Sequence, residues 1–104
     1  MSVFHYRMLD EVVHGRVRLA AMAYLAGAGR TDFAELQREL DVTDGNLSAQ
    51  LRKLEDAELV KVEREIRGRR AWTVVELTPV GRAALDEHVE RLAKMIEAAR
   101  GARP

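Results

Sequence analysis

The 104-residue sequence has no cysteine, no net charge and no apolar run long enough to cross a membrane. Without cysteine it has no disulfide framework, no thiolate nucleophile and no cysteine-ligated metal, which agrees with a reducing cytosol. Its longest apolar stretch, residues 19–29, falls short of the roughly 20 residues that a spanning helix needs. Residues 1–7 lack the apolar core of a signal peptide. We therefore expect a cytoplasmic protein without a membrane partner.

Charge is balanced overall but unevenly distributed along the chain. Seventeen basic residues offset seventeen acidic ones, so the net charge does not predict nucleic-acid binding. Residues 61–70, however, carry five basic side chains against two acidic ones. This local excess indicates an anionic partner for that segment. The five basic residues are Lys61, Arg64, Arg67, Arg69 and Arg70.

Length and composition predict one domain covering residues 1–104. Hydrophobic residues make up 47% and charged residues 33%, as in chains that fold. We see no repeat, linker or low-complexity segment. At this size the core is modest, so stability is expected to depend in part on a second subunit.

The spacing of apolar residues predicts three helices, over residues 10–28, 31–40 and 44–57, with Gly15 as a possible division of the first into a short leader and a main helix. Thr31 and Thr43 are predicted to cap the second and third helices, because a threonine hydroxyl accepts a hydrogen bond from a free backbone N–H. A connection of about three residues separates these two helices, which is typical of a helix-turn-helix unit.

After the third helix the apolar period becomes that of a β-strand. Residues 60–66 alternate, residues 72–77 are rich in β-formers, and Gly68 lies in the turn between them. Trp72 is expected to anchor the core or an interface. Thr78 and Pro79 then begin a last helix that runs to about residue 100. The order predicts a mainly α fold with a small β-hairpin, a winged helix-turn-helix with a two-stranded wing and a long C-terminal helix.

The third helix is the candidate DNA-reading element. Its leucines cluster on one side, and small or polar side chains occupy the other, which suits close approach to the major groove. Asparagine can pair with adenine, alanine can touch a thymine methyl, and basic side chains reach guanine or phosphate. Gln50 lies at the rim of the apolar face. The predicted DNA contacts are Thr43, Gly45, Asn46, Ser48, Ala49, Gln50, Arg52 and Lys53.

The turn of the hairpin adds a second predicted DNA contact. Arg67, Arg69 and Arg70 surround one glycine, and arginine is favoured in narrow minor grooves. These side chains would alternatively only solubilise the turn or pair with Glu63 and Glu65. Both interpretations stay open at this point.

A heptad-like row on the last helix predicts a homodimer. Five apolar residues, the last of them Ala99, recur there at spacings of four, three, four and three. Residues 1–9 are also apolar for a terminus, so residues 1–9 and 79–100 are expected to form the interface. The alternative is that the row packs on the first helix of the same chain. The predicted interface residues are Phe4, Leu85, Val89, Leu92 and Ile96.

Three histidines, His5, His14 and His88, could cluster to bind a metal or to sense pH, although we expect ordinary surface or interface residues instead. No zinc-protease or phosphate-loop motif occurs, and Ser48 has no evident His or Asp partner in the sequence. We therefore expect no enzyme activity, no catalytic residue, no metal and no cofactor.

Six segments together resemble the compact winged helix-turn-helix regulators related to the MarR and ArsR repressors. The resemblance covers about residues 8–95 and implies a homodimer whose third helix enters the major groove while the wing contacts the flanking backbone or minor groove. Gln50 occupies a position where histidine is common in these proteins. Metal-sensing relatives use cysteine and histidine clusters, so metal control is not implied. The segments are LAAMAYL (19–25), DFAEL (32–36), TDGNLS (43–48), LRKLE (51–55), RGRR (67–70) and LTPVGR (77–82).

The predicted function is that of a sequence-specific regulator of transcription, a repressor, that binds double-stranded DNA as a homodimer at a roughly palindromic site. Two alternatives remain. The fold could serve as a protein-interaction module whose arginine tip meets an acidic partner, or the protein could be a repressor that responds to a small ligand or a metal.

Overall fold

The computed structural model describes residues 2–101, and in these it contains four α-helices and one three-stranded antiparallel sheet of order β1-β3-β2. The order of elements confirms the predicted winged helix-turn-helix. A short 3-10 turn, Tyr6–Met8, precedes the first helix. The elements are α1 (Arg16–Ala28), β1 (Thr31–Asp32), α2 (Phe33–Leu40), α3 (Asp44–Asp56), β2 (Val60–Arg67), β3 (Arg70–Leu77) and α4 (Pro79–Gly101).

Helix α1 begins at Arg16, directly after Gly15, so the predicted division at Gly15 agrees with the structure and the α-helix does not extend back to residue 10. The carboxylate of Asp10 accepts hydrogen bonds from the backbone N–H groups of Val12 (2.9 Å) and Val13 (3.2 Å). Aspartate thereby offers the backbone an alternative to helix, and residues 11–14 form a turn. Gly29, with φ of 76°, ends the helix.

The predicted cap of α2 is wrong by one residue, and the wing sheet has a third strand. Asp32, rather than Thr31, caps the helix, because its carboxylate accepts from the N–H of Glu35 at 2.9 Å. Thr31 instead pairs with Val75 in β1. The sheet therefore has three strands where a two-stranded hairpin was predicted.

The turn between α2 and α3 matches its prediction closely. Asp41 adopts the left-handed conformation at the end of α2, with φ of 51°. Thr43 caps α3, since its hydroxyl accepts from the N–H of Asn46 at 3.1 Å. The amide of Gln37 also donates to the carbonyl of Val42 across the turn, at 3.2 Å. These bonds hold the two helices of the unit in a fixed relation.

The hydrophobic core lies between the first three helices, the inner face of the sheet and the start of α4. The three leucines of α3 that the sequence assigned to the core are all buried. Burying this face of α3 turns its opposite face to solvent. The core includes Val13, Ala21, Met22, Leu25, Leu36, Leu47, Leu51, Leu54, Leu59, Val60, Val75 and Leu85.

Helix α4 starts in tight contact with the junction of α3 and β2. The hydroxyl of Thr78 accepts from the N–H of Gly81 at 2.9 Å and donates to the carbonyl of Glu58 at 2.6 Å. A side chain at Gly81 would come within 1.9 Å of the carbonyl oxygen of Leu59. The predicted start at Thr78 and Pro79 is confirmed. Among the described residues no helix, α4 included, combines the length and apolarity needed to cross a membrane.

Candidate DNA-binding surface

Helix α3 carries one exposed polar face, and most of the predicted contacts lie on it. Asn46, Ser48, Arg52 and Lys53 are all exposed. Neither Arg52 nor Lys53 forms a salt bridge within residues 2–101. Gly45 and Ala49 add no bulk beyond a methyl group, so a binding partner can approach the backbone here.

Gln50 differs from its neighbours because its side chain is engaged inside the protein. It is half-buried. Its Oε1 accepts from Nη1 of Arg18 at 2.6 Å, and its Nε2 donates to Oδ1 of Asn46 at 3.1 Å. Sequence reasoning missed Arg18, because the residues in contact are 32 positions apart and no local pattern joins them.

A groove of about 400 Å³ separates the exposed face of α3 from the base of the wing. Ser48 and Arg52 line it on the helix side, and Val62 and Thr73 line it on the sheet side. The α3 face and the wing therefore form adjacent parts of one surface.

The wing ends in a two-residue turn. Strands β2 and β3 stay in register from Val60 opposite Leu77 to Arg67 opposite Arg70. Gly68, with φ of 62°, is the first residue of the turn. Glycine adopts a positive φ at no steric cost, so a tight turn holds the arginines at the end of the sheet.

Trp72 forms a platform for two of these arginines rather than part of the core. Its ring centroid lies 5.2 Å from Cζ of Arg67 and 5.9 Å from Cζ of Arg70. A guanidinium at such a distance is attracted by the ring quadrupole. Of the two roles expected for Trp72, anchoring the core is wrong, since the ring is only half-buried and stacks under the arginine side chains. Anchoring an interface stays a prediction.

Glu65 lies between two arginines. Its carboxylate is 3.0 Å from Nε of Arg67 and 2.6 Å from Nη1 of Arg30. The hydrogen bond from Arg67, followed by that from Arg30, holds the pKa of Glu65 below its ordinary value. Pairing within the hairpin, one of the two alternatives for the arginines, therefore applies to Arg67.

The other two arginines of the tip are not neutralised in this way. Glu63 is engaged by Lys61 at 2.6 Å, and that contact is the main reason its pKa lies below the ordinary value. Arg69 and Arg70 form no salt bridge with any described residue. The positive charge at the end of the wing is therefore carried chiefly by these two side chains.

The row on α4 divides into a buried and an exposed part. Leu85 packs in the core of its own protomer, which leaves little of it for a second subunit. Val89 and Ile96 are 50% and 52% exposed, and Phe4 is exposed as well. Leu92 lies between these extremes. An apolar strip thus begins one turn beyond the core.

Two of the three histidines meet. Nδ1 of His14 lies 3.0 Å from Nε2 of His88, while His5 takes no part in this pair. His88 is only 1% exposed, so the expectation of a surface or interface position is wrong for it. Burial, with a smaller contribution from His14, lowers its pKa. Within residues 2–101, no three His, Asp or Glu side chains come together in a metal-binding arrangement.

Comparison with known families and structures agrees with this geometry. The family model of the winged helix DNA-binding domain matches residues 17–96. A transcriptional regulator homologue from Pyrococcus horikoshii OT3 is 31% identical and superimposes with a TM-score of 0.88, over 95% of this chain and 98% of that one. The match includes the helix-turn-helix, the wing and most of α4.

Two further relatives cover most of the chain. A MarR-family transcriptional regulator from Enterococcus faecalis V583 is 30% identical with a TM-score of 0.72, over 89% of this chain and 84% of that one. An uncharacterised protein of Methanocaldococcus jannaschii is 28% identical over 85 residues, which are 82% of this chain and 92% of that protein. The resemblance to MarR-type regulators is thereby confirmed.

Proposed function

We propose that this chain, which belongs to the family of winged helix DNA-binding domains and is a DNA-binding transcriptional regulator, acts as a homodimeric repressor. Its fold and family are those of transcriptional regulators rather than of enzymes. The dimer would bind a roughly palindromic site in the cytoplasm and exclude other proteins from it.

The exposed face of α3 is the observation that most supports direct contact with DNA bases. This helix buries three leucines and leaves two basic side chains without salt-bridge partners among the described residues. A major groove about 12 Å wide admits such a helix. The residues proposed to contact DNA here are Thr43, Gly45, Asn46, Ser48, Ala49, Arg52 and Lys53. Gln50, whose two polar side-chain atoms are engaged by Arg18 and Asn46, is proposed to act through Asn46.

The wing is proposed to contact the phosphates or the minor groove beside the α3 site. Arg69 and Arg70 supply unneutralised charge, and the stacking of Arg67 and Arg70 on Trp72 supports a defined tip. Phosphate contacts fix the position of a protein on DNA, whereas base contacts select the sequence. Arg67, Arg69 and Arg70 would therefore contribute mainly affinity.

The exposed apolar strip of α4 supports the homodimer. Val89 and Ile96 lie on the predicted row, and Phe4 belongs to the N-terminal segment that lies against α4. Arg91 ties that segment to α4, because its Nη1 donates to the carbonyl of Met8 at 2.7 Å. Residues 1–9 and 79–100, with Leu85 and Leu92, are proposed to form or support this interface in the single domain.

Gel-shift titration with the DNA upstream of the protein's own gene tests the base-reading proposal. The wild type is expected to form a specific complex that weakens steeply with salt. Asn46→Ala should lose about 1–3 kcal/mol of discrimination, while the control Asp86→Ala, on α4, should bind like the wild type. A wild type without a salt-sensitive specific complex contradicts the proposal.

Control by a small ligand is a second candidate function, favoured by one cavity. A space of about 190 Å³ lies between the N-terminal segment and α4, with Met8, Leu9 and Met95 offering apolar surface and Arg91 and Lys94 positive charge. Arg91 also pairs with Glu87, and Lys94 lies 3.8 Å from Glu90, so an anionic ligand would compete with these carboxylates. An aromatic carboxylate is the ligand class that this lining favours. Benzoate should raise the melting temperature of the wild type and should not raise that of Met95→Glu; equal melting curves with and without benzoate would contradict this candidate.

A further inference from the structure

We propose that Arg18 is a positioning residue that determines which side-chain atom of Asn46 faces the DNA. The inference rests on the proposed function, since it requires the exposed face of α3 to meet base edges. Arg18 itself is half-buried in α1 and lies behind α3. It would act only through Gln50.

Two backbone carbonyls of the turn before α1 hold the guanidinium of Arg18 in place. Its Nε donates to the carbonyl of Val12 at 2.6 Å, and its Nη2 donates to the carbonyl of Glu11 at 3.3 Å. Gly15 leaves the space that the guanidinium occupies, since a Cβ on Gly15 would lie 2.3 Å from Cζ of Arg18. The turn before α1 thus holds this cation in one position.

Arginine can only donate hydrogen bonds, and this determines how the amide of Gln50 is oriented toward Arg18. A guanidinium has five N–H donors and no acceptor, so Gln50 must turn its Oε1 toward Nη1 of Arg18, at 2.6 Å. That orientation leaves Nε2 of Gln50 to face Asn46, where it donates to Oδ1 at 3.1 Å. Asn46 consequently turns its oxygen inward, and its Nδ2 amino group is the end left for a base.

The outward Nδ2 favours some bases over others. In the major groove guanine presents two acceptors, adenine and thymine present one each, and cytosine presents only a donor. Asn46 should therefore disfavour cytosine at the base it contacts. The adenine contact predicted from sequence also needs Oδ1, one lone pair of which already accepts from Gln50.

Replacing Gln50 by glutamate keeps the direction of the hydrogen bond from Arg18 but reverses that of the hydrogen bond with Asn46. A carboxylate only accepts, so Glu at this position would still bind Arg18 but would draw Nδ2 of Asn46 inward and leave Oδ1 outward. On an array of double-stranded oligonucleotides covering all short sequences, Gln50→Glu should shift the Asn46-dependent position toward cytosine or adenine by roughly tenfold in relative preference. Asn46→Ala identifies that position.

A second variant displaces Arg18 without removing any charge. Gly15→Ala forces the flexible guanidinium aside, and the preference at the same position should fall to within about twofold of that of Asn46→Ala. Gly27→Ala is the matched control, because no atom lies within 4 Å of the added Cβ. It should keep the wild-type preference, and thermal melting verifies that each variant is folded.

The array distinguishes failure of the proposed DNA-binding function from failure of the role of Arg18. A wild type that shows no sequence preference on the array overturns the proposed function and the role of Arg18 together. A wild type whose Asn46-dependent preference survives unchanged in both folded Gly15→Ala and Gln50→Glu overturns the role of Arg18 alone.

Discussion

Three arginines stand within four residues at the end of the wing, but their surroundings differ. Arg67 is engaged by Glu65 and Trp72, whereas Arg69 has no salt-bridge or hydrogen-bond partner in the described part of the chain. A side chain without an internal partner can neutralise a phosphate and thereby displace a cation condensed on the DNA. Arg69→Ala should therefore weaken binding to all sequences and reduce the slope of log K against log salt by about one.

The measurement is DNA affinity between about 50 and 200 mM salt. Arg100→Ala, which removes an exposed arginine near the end of α4, is the control and should keep the wild-type slope. An unchanged slope for Arg69→Ala would show that this side chain does not reach a phosphate.

Buried His88 makes stability depend on pH. Burial first, then the nearby His14, with a smaller effect of Arg91, lowers its pKa from the ordinary 6.5, and Asp10 opposes them. Below pH 6.5 the unfolded chain takes up a proton that the folded chain resists, so the free energy of unfolding falls as the pH falls. Above that pH the histidine is neutral in both states and contributes no slope.

Urea unfolding at a series of pH values checks this. His88→Leu should flatten the loss of stability below about pH 6.5, since it removes the buried group, whose Nδ1 has no partner among the described residues. His5→Ala, which changes an exposed histidine, should keep the wild-type dependence. If His88→Leu loses stability with acid as steeply as the wild type, another group is responsible.

Among the secondary-structure elements, the start of α4 requires a glycine at position 81 because of the space available there and not because of its backbone conformation. Gly81 lies inside the helix and against the backbone of Leu59, so Gly81→Ala would force two elements apart and should cost about 1–3 kcal/mol or more. The Cβ added by Gly27→Ala in α1 would have no atom within 4 Å, so this substitution should raise the free energy of unfolding by about 0.5–1 kcal/mol. Chemical denaturation measures both. Equal stabilities of the two variants would contradict the close contact.

Elements with a sustained period were predictable from sequence, and short or non-local features were not. The apolar faces of α2, α3 and α4 and the alternation of the hairpin predicted those elements. Strand β1 has only two residues, which is too few to show alternation. The late start of α1 depends on the side chain of Asp10. The contact of Arg18 with Gln50 joins two helices, and periodicity within either one gives no sign of it.

The whole molecule is expected to bind its palindromic site as a dimer of two identical chains. Val89→Glu places a charge on the exposed row of α4 and should produce a monomer with weakened DNA affinity, because the second α3 is lost. Val80→Glu is the matched control, since Val80 is 57% exposed against 50% for Val89 and lies off the row. Sedimentation equilibrium gives the mass of each. A Val89→Glu protein that stays dimeric would refute this interface.

Selection of bound duplexes from a random pool examines sequence-specific binding and dimerisation in a single experiment. Two α3 helices related by a two-fold axis should enrich an inverted repeat whose half-site centres lie about 10–10.5 base pairs, or a multiple of that, apart. Enrichment of that repeat is expected for a homodimer that reads DNA with both α3 helices. A pool that stays random, or that converges on a single unpaired half-site, would contradict it.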